Sequence, residues 1–128
     1  MVGIVVVSHS EKIAEGVKEV AEQMAPEVKI YSAGGTDDGR IGTDAMKISS
    51  AIKNAFDKDG VILLFDLGSS LMNAELAIEF LDDDIKSKVE IIDAPLVEGA
   101  VVAAVCASMN KTIEDIKNDL KSMSLNKK

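Results

Sequence analysis

Short apolar runs alternate with helical patterns along this 128-residue sequence. Two of the runs, Ile4–Val7 and Val61–Phe65, contain no polar residue, which is typical of strands buried on both faces of a parallel sheet. Two more strands are predicted at Val28–Tyr31 and Val89–Ile92. The pattern βαβαβαβαα predicts an α/β fold, with an open, mainly parallel four-stranded sheet and helices on both faces. We expect strand order 2-1-3-4 and a single domain over residues 1–128, because no linker divides the chain.

Helices are predicted where apolar residues recur at helical spacing behind a capping residue. They cover Ser10 to about Gln23, a segment after Thr43 or Asp44, Leu71–Leu81, Ala100–Met109 and a segment that starts with a Thr112–Asp115 cap. The apolar stripe of the first helix, from Ile13 to Met24, is expected to face the core. Ala100–Met109 is apolar nearly all round, so we expect it to be buried in the fold or in a subunit contact. Asp82–Asp84 is predicted to be a solvated turn and the lysine-ended tail to be frayed.

Charge and cysteine content restrict the classes of function. The net charge is -8, from 14 basic and 22 acidic residues, which argues against binding to a nucleic-acid backbone. No apolar run approaches the roughly 18 residues of a membrane span, and no basic stretch precedes the first run, so we expect neither membrane insertion nor a signal peptide. The single cysteine, Cys106, excludes an internal disulfide and favours a reducing, cytoplasmic location. We expect it to be a buried structural thiol.

The only histidine, His9, directly follows the first predicted strand. In open α/β sheets, ligands and chemistry collect at the carboxyl ends of the strands. With strand order 2-1-3-4, His9 and Asp66 would face one crevice where the order reverses. A carboxylate that accepts one ring N–H fixes the tautomer and leaves the other nitrogen as base or nucleophile. The pair is therefore a candidate phosphohistidine site.

Two further loops at the same sheet edge can supply donors to an anion. They contain Gly34-Gly35-Thr36 and Gly68-Ser69-Ser70, whose backbone N–H and hydroxyl groups suit phosphoryl oxygens. Each feature also has a structural interpretation: the glycine pair can be a turn, and Asp66 can be a helix-start residue.

Three charged residues near these loops are weaker candidates. Asp93 and Glu98 follow the fourth strand, and such residues are more often structural than part of a site. Arg40 could touch phosphate, but a solvated arginine is at least as common.

Other chemistries fit the sequence less well. A metal site lacks a second histidine or cysteine, and no Walker loop or Gly-x-Ser-x-Gly elbow is present. Aromatic residues make up only 3%, which leaves little to stack on a flavin. A Ser–His–Asp triad built with Ser69 or Ser70 stays open, so a small hydrolase is one alternative.

Four stretches together carry a family resemblance. They are Ile4–Ser10, Gly34–Thr43, Phe65–Ser70 with Met72–Glu75, and Ala94–Ala100. In this order they resemble the mannose-type IIA domains of the bacterial phosphoenolpyruvate-dependent sugar phosphotransferase system. Within that group they resemble most the phosphotransferase subunits of bacterial dihydroxyacetone kinases.

The resemblance implies a function and a site. His9 would accept a phosphoryl group from the phosphohistidine of the carrier protein HPr and pass it to ADP on the kinase's nucleotide-binding subunit. Asp66 would orient His9, and the phosphoryl group would lie among Gly35, Thr36, Gly68, Ser69 and Ser70. No permanently bound cofactor is implied, and such domains are usually homodimers.

The resemblance also bears on the source of the phosphoryl group and on two alternative functions. Some relatives carry fused HPr-like and enzyme-I-like domains, for which this sequence has no room, so HPr is expected to be a separate protein. The loop between Asp66 and Ser70 is shorter than in mannose-transporter IIA domains. Two alternatives to the kinase role are a sugar-transporter IIA component that feeds a IIB domain and a non-catalytic regulatory docking module.

Overall fold

The computed structural model describes all 128 residues and contains one four-stranded, all-parallel sheet. The strands are β1 (Gly3–Ser8), β2 (Ile30–Gly34), β3 (Val61–Phe65) and β4 (Val89–Ile92). Their order is β2-β1-β3-β4, which confirms the predicted fold class and strand order. Register places Val7 beside both Ala33 and Phe65, so β1, β2 and β3 end at the same edge. The residues after β1 and β3 therefore meet where the strand order reverses.

Alternate residues of each central strand enter two separate cores. One face of the sheet packs against α1 (Glu11–Met24), α5 (Leu96–Ser108) and α6 (Ile113–Leu120). The other face packs against α2 (Ala45–Ala55) and α3 (Leu71–Glu79). Because both faces are covered, β1 and β3 are fully buried, as their unbroken apolar runs predict. Each fully buried aliphatic side chain stabilises the fold by about 2 kcal/mol.

Helix starts follow the predicted capping chemistry. The Ser10 side chain accepts a hydrogen bond from the N–H of Ile13, and Asp44 caps α2. Thr112 and Asp115 form a reciprocal capping box at the start of α6. Only part of the predicted stripe of α1 faces the core, because Ile13, Val20 and Met24 are about half exposed.

Several element boundaries differ from prediction. β2 begins two residues later than expected and extends to Gly34, and α3 ends at Glu79. A four-residue helix, α4 (Asp83–Lys86), replaces part of the predicted turn, with Asp83 and Asp84 in its first turn, where carboxylates favour a helix. α5 begins at Leu96, directly after Pro95, and not at Ala100.

Two predictions about burial are resolved by packing. α5 buries small residues against the rest of the fold, which accommodates close approach of α1 and α6. Cys106 is buried, as predicted.

The prediction of a frayed tail is wrong: after a single 3-10 turn at Lys121–Met123, residues 124–128 fold back onto the carboxyl edge of the sheet.

Candidate active site

His9 and Asp66 lie side by side at the carboxyl ends of β1 and β3. The ring Nδ1 of His9 is 3.1 Å from Oδ1 of Asp66. The two side chains are partly shielded, with 21% and 16% of their surfaces exposed. The neighbouring backbone is fixed as well, because the N–H of Asp66 donates to the carbonyl of Val7. Strand pairing thus brings together two residues that are 57 positions apart.

Four further donors converge on the Asp66 carboxylate. The N–H groups of His9 and Leu67 donate to it at 2.9 and 2.6 Å, and the hydroxyls of Ser8 and Ser70 donate at 2.8 Å each. Burial raises the pKa of Asp66, but the hydrogen bonds from His9, Leu67 and Ser70 outweigh it and lower the pKa from 3.8 to about 2. Asp66 is therefore ionised at neutral pH and accepts the ring N–H from Nδ1.

The second ring nitrogen of His9 faces Ser69. Oγ of Ser69 lies 2.9 Å from Nε2. With the proton on Nδ1, Nε2 holds a lone pair and the Ser69 hydroxyl donates to it. Nε2 is the free nucleophilic position of the ring. The Ser69 side chain is exposed.

Gly68 and Ser69 also present backbone donors. They begin the single 3-10 turn Gly68–Ser70 that leads into α3. Ser70 and Leu71 donate their N–H groups to Leu67 and Gly68, whereas the N–H groups of Gly68 and Ser69 meet no protein acceptor. Free N–H groups at a helix start favour an anion. The predicted donors Ser69 and Ser70 thus lie within hydrogen-bond distance of the His9 ring, and Gly68 directly precedes them in the same turn.

The glycine-rich loop packs against the backbone that carries His9. Gly35 has a φ of +72° and donates its N–H to the carbonyl of Ser8, while Gly42 donates to the carbonyl of His9 at 2.8 Å. The hydroxyl of Thr36 donates to Asp38 and does not reach the imidazole ring. Gly35 and Thr36 therefore shape the loop beside the site, without a direct contact to the ring in this conformation.

Three weaker candidates lie away from His9. Arg40 is exposed and pairs with Asp38, and Glu98 is an exposed residue of α5. Asp93 accepts hydrogen bonds from the tail residues Ser124, Leu125 and Lys127.

Sequence reasoning missed several residues that support the site. Ser8 is fully buried, and besides donating to Asp66 it accepts from the N–H of Ser10. Its position in the Ser-His-Ser loop was the only available signal. Lys47 donates to the carbonyl of Gly34 at 2.7 Å and pairs with Glu11, which ties the glycine loop to α1.

Two kinds of feature are not found in the structure, and three apolar side chains near the site are exposed. No helix has both the length and the apolar character that a membrane crossing requires. No group of three or more His, Cys, Asp or Glu side chains is arranged to hold a metal ion. Ile41, Leu67 and Met72 come from the segments around His9 and are 57–78% exposed. Such residues beside a reactive nitrogen are typical of a surface that meets other proteins.

Comparison with known proteins identifies the class. Residues 3–117 match the EIIA-man family model, described as the PTS system fructose IIA component. The crystal structure of "unknown function protein EF1359" has a similar fold, with a TM-score of 0.82. Its sequence is 36% identical to this chain, and the match covers 95% of each chain. The chain belongs to the EIIA-man family of phosphotransferase-system IIA components.

Individual relatives of this chain include two phosphoryl donor subunits of dihydroxyacetone kinases. The chain is 45% identical over 121 residues to the Listeria innocua phosphoryl donor subunit DhaM of PEP-dependent dihydroxyacetone kinase 2, covering 94% of this chain and 97% of the relative. It is 43% identical to the Providencia stuartii DhaM over 93% of this chain, but it spans only 26% of that longer protein. These matches confirm the resemblance to phosphotransferase subunits of dihydroxyacetone kinases that the motifs indicated.

Proposed function

We propose that this protein is a phosphohistidine carrier of a dihydroxyacetone kinase. Nε2 of His9 accepts a phosphoryl group from the phosphohistidine of HPr and passes it to ADP on the kinase's nucleotide-binding subunit. The observation that carries the proposal is the ring geometry: ionised Asp66 holds Nδ1, so Nε2 is the nucleophile. The DhaM relatives, named as phosphoryl donor subunits, support the choice of kinase.

The transfer balances without water or a resident cofactor. The Nε2 lone pair attacks the donor phosphorus, a new N–P bond forms, and the donor's N–P bond breaks with its electron pair returning to the donor ring. The His9 ring, protonated at Nδ1 and phosphorylated at Nε2, is then cationic, and the Asp66 carboxylate stabilises it. In the second half-reaction a β-phosphate oxygen of ADP attacks the same phosphorus, and the His9 ring leaves neutral.

Ser69 and the adjacent N–H groups have a role in both half-reactions. The Ser69 hydroxyl that donates to Nε2 in the unphosphorylated protein is free to donate to a phosphoryl oxygen once Nε2 is occupied. The N–H groups of Gly68 and Ser69 are oriented by the start of α3, and we assign them to the same oxygens. Thr36 and Gly35 would join only after a movement of the glycine loop.

The same geometry favours one second candidate, a small hydrolase. Ser69 Oγ, His9 Nε2, His9 Nδ1 and Asp66 Oδ1 follow one another at 2.9 and 3.1 Å, which is the hydrogen-bond chain of a Ser–His–Asp triad. Membership of the IIA family favours the carrier. The two functions assign Ser69 differently, because a hydrolase needs its oxygen as nucleophile and a carrier does not.

The test is phosphorylation by purified phosphoenolpyruvate, enzyme I and HPr, followed by mass spectrometry. We expect one phosphoryl group per chain, on Nε2 of His9. His9→Ala abolishes the labelling, whereas Ser69→Ala retains it at a reduced rate. Labelling that survives His9→Ala contradicts the proposal. Turnover of activated esters that requires Ser69, without labelling by HPr, establishes the hydrolase.

We also propose that the carrier acts as a homodimer. Leu76 in α3 and Phe80 directly after it are about half exposed and provide apolar surface for such a contact. Light scattering at micromolar concentration should give twice the 13.6 kDa chain mass, and a 13.6 kDa particle would contradict the dimer.

A further inference from the structure

The tail residue Lys127 contacts the backbone of the active site. Its ammonium group donates to three carbonyl oxygens: that of Phe65 at 2.6 Å, that of Ala94 at 3.0 Å and that of Asp66 at 3.1 Å. A lysine ammonium has three donors, so all three are used. The nitrogen also lies 4.5 Å from the centre of the Phe65 ring. Lys127 thus joins the carboxyl ends of β3 and β4.

The two peptide groups that flank the α-carbon of Asp66 are held on both of their polar sides. In the first, the carbonyl of Phe65 binds Lys127 and the N–H of Asp66 donates to Val7. In the second, the carbonyl of Asp66 binds Lys127 and the N–H of Leu67 donates to the Asp66 carboxylate. Fixing both peptide planes fixes the backbone angles of Asp66, and these set the direction of its side chain.

Asp93, one of the weaker site candidates from the sequence, anchors the backbone of Lys127. Asp93 accepts the N–H groups of Lys127 at 2.6 Å and Leu125 at 3.4 Å, and the hydroxyl of Ser124 at 3.2 Å. Burial lowers the pKa of Lys127, while the nearby carboxylates of Asp93 and Asp66 act in the opposite direction. The residue lies outside the 3–117 range that matches the family model.

We propose that Lys127 is a positioning residue for phosphoryl transfer, which holds the backbone on both sides of Asp66 and so aims the carboxylate at Nδ1 of His9. Its effect on transfer rests on the proposed carrier function, whereas its effect on the His9 tautomer does not. Since the contact acts through Asp66, losing it should slow the chemical step and leave the binding of HPr nearly unchanged.

The experiment uses the single histidine, whose two ring nitrogens give the only imidazole signals in a ¹⁵N spectrum of the full chain. In the neutral wild-type ring we expect well-separated shifts for a protonated Nδ1 and an unprotonated Nε2. Lys127→Met should move the two shifts towards each other as tautomers mix. The same variant should lower kcat for transfer from phospho-HPr about tenfold, with KM changed less than twofold.

The matched control is Lys128→Met. Lys128 belongs to the same tail and also donates to a strand carbonyl, but to that of Ile91 in β4, away from Asp66. It should leave the ring shifts and kcat at wild-type values. Asp93→Asn, which weakens the anchor without altering the ammonium, should change both readouts in the same direction as Lys127→Met but by less. This second variant keeps the test decisive where Lys127→Met fails to fold.

Two results would overturn the proposal. One is a folded Lys127→Met protein with wild-type ring shifts and kcat. The other is an equal effect of Lys128→Met, which would show that the tail stabilises the fold generally. A wild-type protein that HPr cannot label would instead contradict the carrier function, and the ring shifts would still decide the role of Lys127.

Discussion

The two ring nitrogens of His9 lie in different environments, and this difference suits the reversible phosphorylation that we propose. Nδ1 is bound to a carboxylate that stays ionised, while Nε2 meets a neutral hydroxyl that can rotate away. A ring held in this way keeps one tautomer before the reaction and gains a counter-ion after it. The chemistry that we propose thus needs Asp66 as well as His9.

Asp66→Asn should fold and yet transfer slowly. The amide oxygen can accept from Nδ1, but it supplies no charge to the cationic phosphorylated ring. Because oriented charge and proton placement contribute about a hundredfold or more, we expect transfer from phospho-HPr to slow by about a hundredfold. Single-turnover labelling measures this rate. A rate within threefold of wild type would remove Asp66 from the mechanism.

The same carboxylate makes stability depend on pH. The pKa of Asp66 is lowered from 3.8 to about 2 in the folded chain, so ionisation stabilises the fold. This contribution, about 2 kcal/mol, is complete above the unfolded pKa and is lost as the pH falls through about 2. The unfolding free-energy difference between wild type and Asp66→Asn should therefore shrink by about 2 kcal/mol from pH 6 to pH 2 in urea titrations. A difference that does not depend on pH would contradict it.

Sequence reasoning placed His9, Asp66 and Ser69 at one sheet edge because each directly follows a buried strand or lies within a few residues of one. It could not assign Ser8 to Asp66, because a serine at that position is equally suited to cap α1. Nor could it find Lys127, since the contact depends on the path of residues 124–128 over the sheet edge. Asp93 was noticed, but its partners come from the tail and not from the crevice.

At the scale of elements, close packing between β2 and α1 holds the glycine loop against His9. A Cβ placed on Gly34 would clash with the Ser10 carbonyl oxygen and would lie 2.7 Å from Cβ of Ala14. These distances are too short for any side chain, so only glycine lets β2 end directly beside the start of α1. The loop that follows then reaches the backbone of His9 through Gly42.

Gly34→Ala should be strongly destabilising, by about 3 kcal/mol or more, because the clash involves backbone atoms that cannot shift independently. Gly16→Ala is the matched control in α1, where a new Cβ meets nothing within 4 Å. Since alanine is the better helix former, this change should stabilise by up to about 1 kcal/mol. Thermal unfolding of the two variants compares them directly. Equal stability of Gly34→Ala and wild type would contradict the packing argument.

The elements that sequence predicted best are those whose signals are local. Unbroken apolar runs gave β1 and β3, and the Thr112–Asp115 box gave the start of α6. The start of α5 was predicted too late, because the Asp93–Gly99 segment was assigned to the loop after β4. The helix begins within that segment, at Leu96. The exposed half of the α1 stripe shows that helical spacing alone does not say how wide a face the core covers.

At the scale of the whole molecule, the chain has a single histidine and a strong excess of acidic residues. The net charge is -8, and Glu11, Asp38 and Glu75 are exposed on the segments that surround the site. The apolar side chains of Ile41, Leu67 and Met72 lie among these charges. This combination suits transient docking to proteins with a complementary basic surface, for which charge sets the association rate more than the final affinity.

Transfer should therefore weaken as salt rises. The Debye length falls from about 10 Å at 0.1 M to about 3 Å at 1 M ionic strength, so steering between the partners is lost over this range. We expect the second-order rate of labelling by phospho-HPr to fall about tenfold or more between these concentrations. The first-order rate within the preformed complex should change little. A second-order rate that is independent of salt would show that docking depends on the apolar residues alone.

The proposed carrier needs an acceptor that another protein presents, because the chain lacks the residues of a substrate kinase. There is no other histidine and no lysine-containing phosphate loop. We expect phospho-His9 to transfer its phosphoryl group to ADP only when ADP is held on the nucleotide-binding kinase subunit, which would align the β-phosphate with Nε2.

Labelled protein should be mixed separately with dihydroxyacetone, hexoses, free ADP and the ADP-loaded subunit. Rapid loss of label is expected only in the last mixture. Transfer to a IIB domain, with the ADP-loaded subunit inert, would instead identify a sugar-transporter component, and failure with every acceptor despite stable labelling would favour a regulatory docking module.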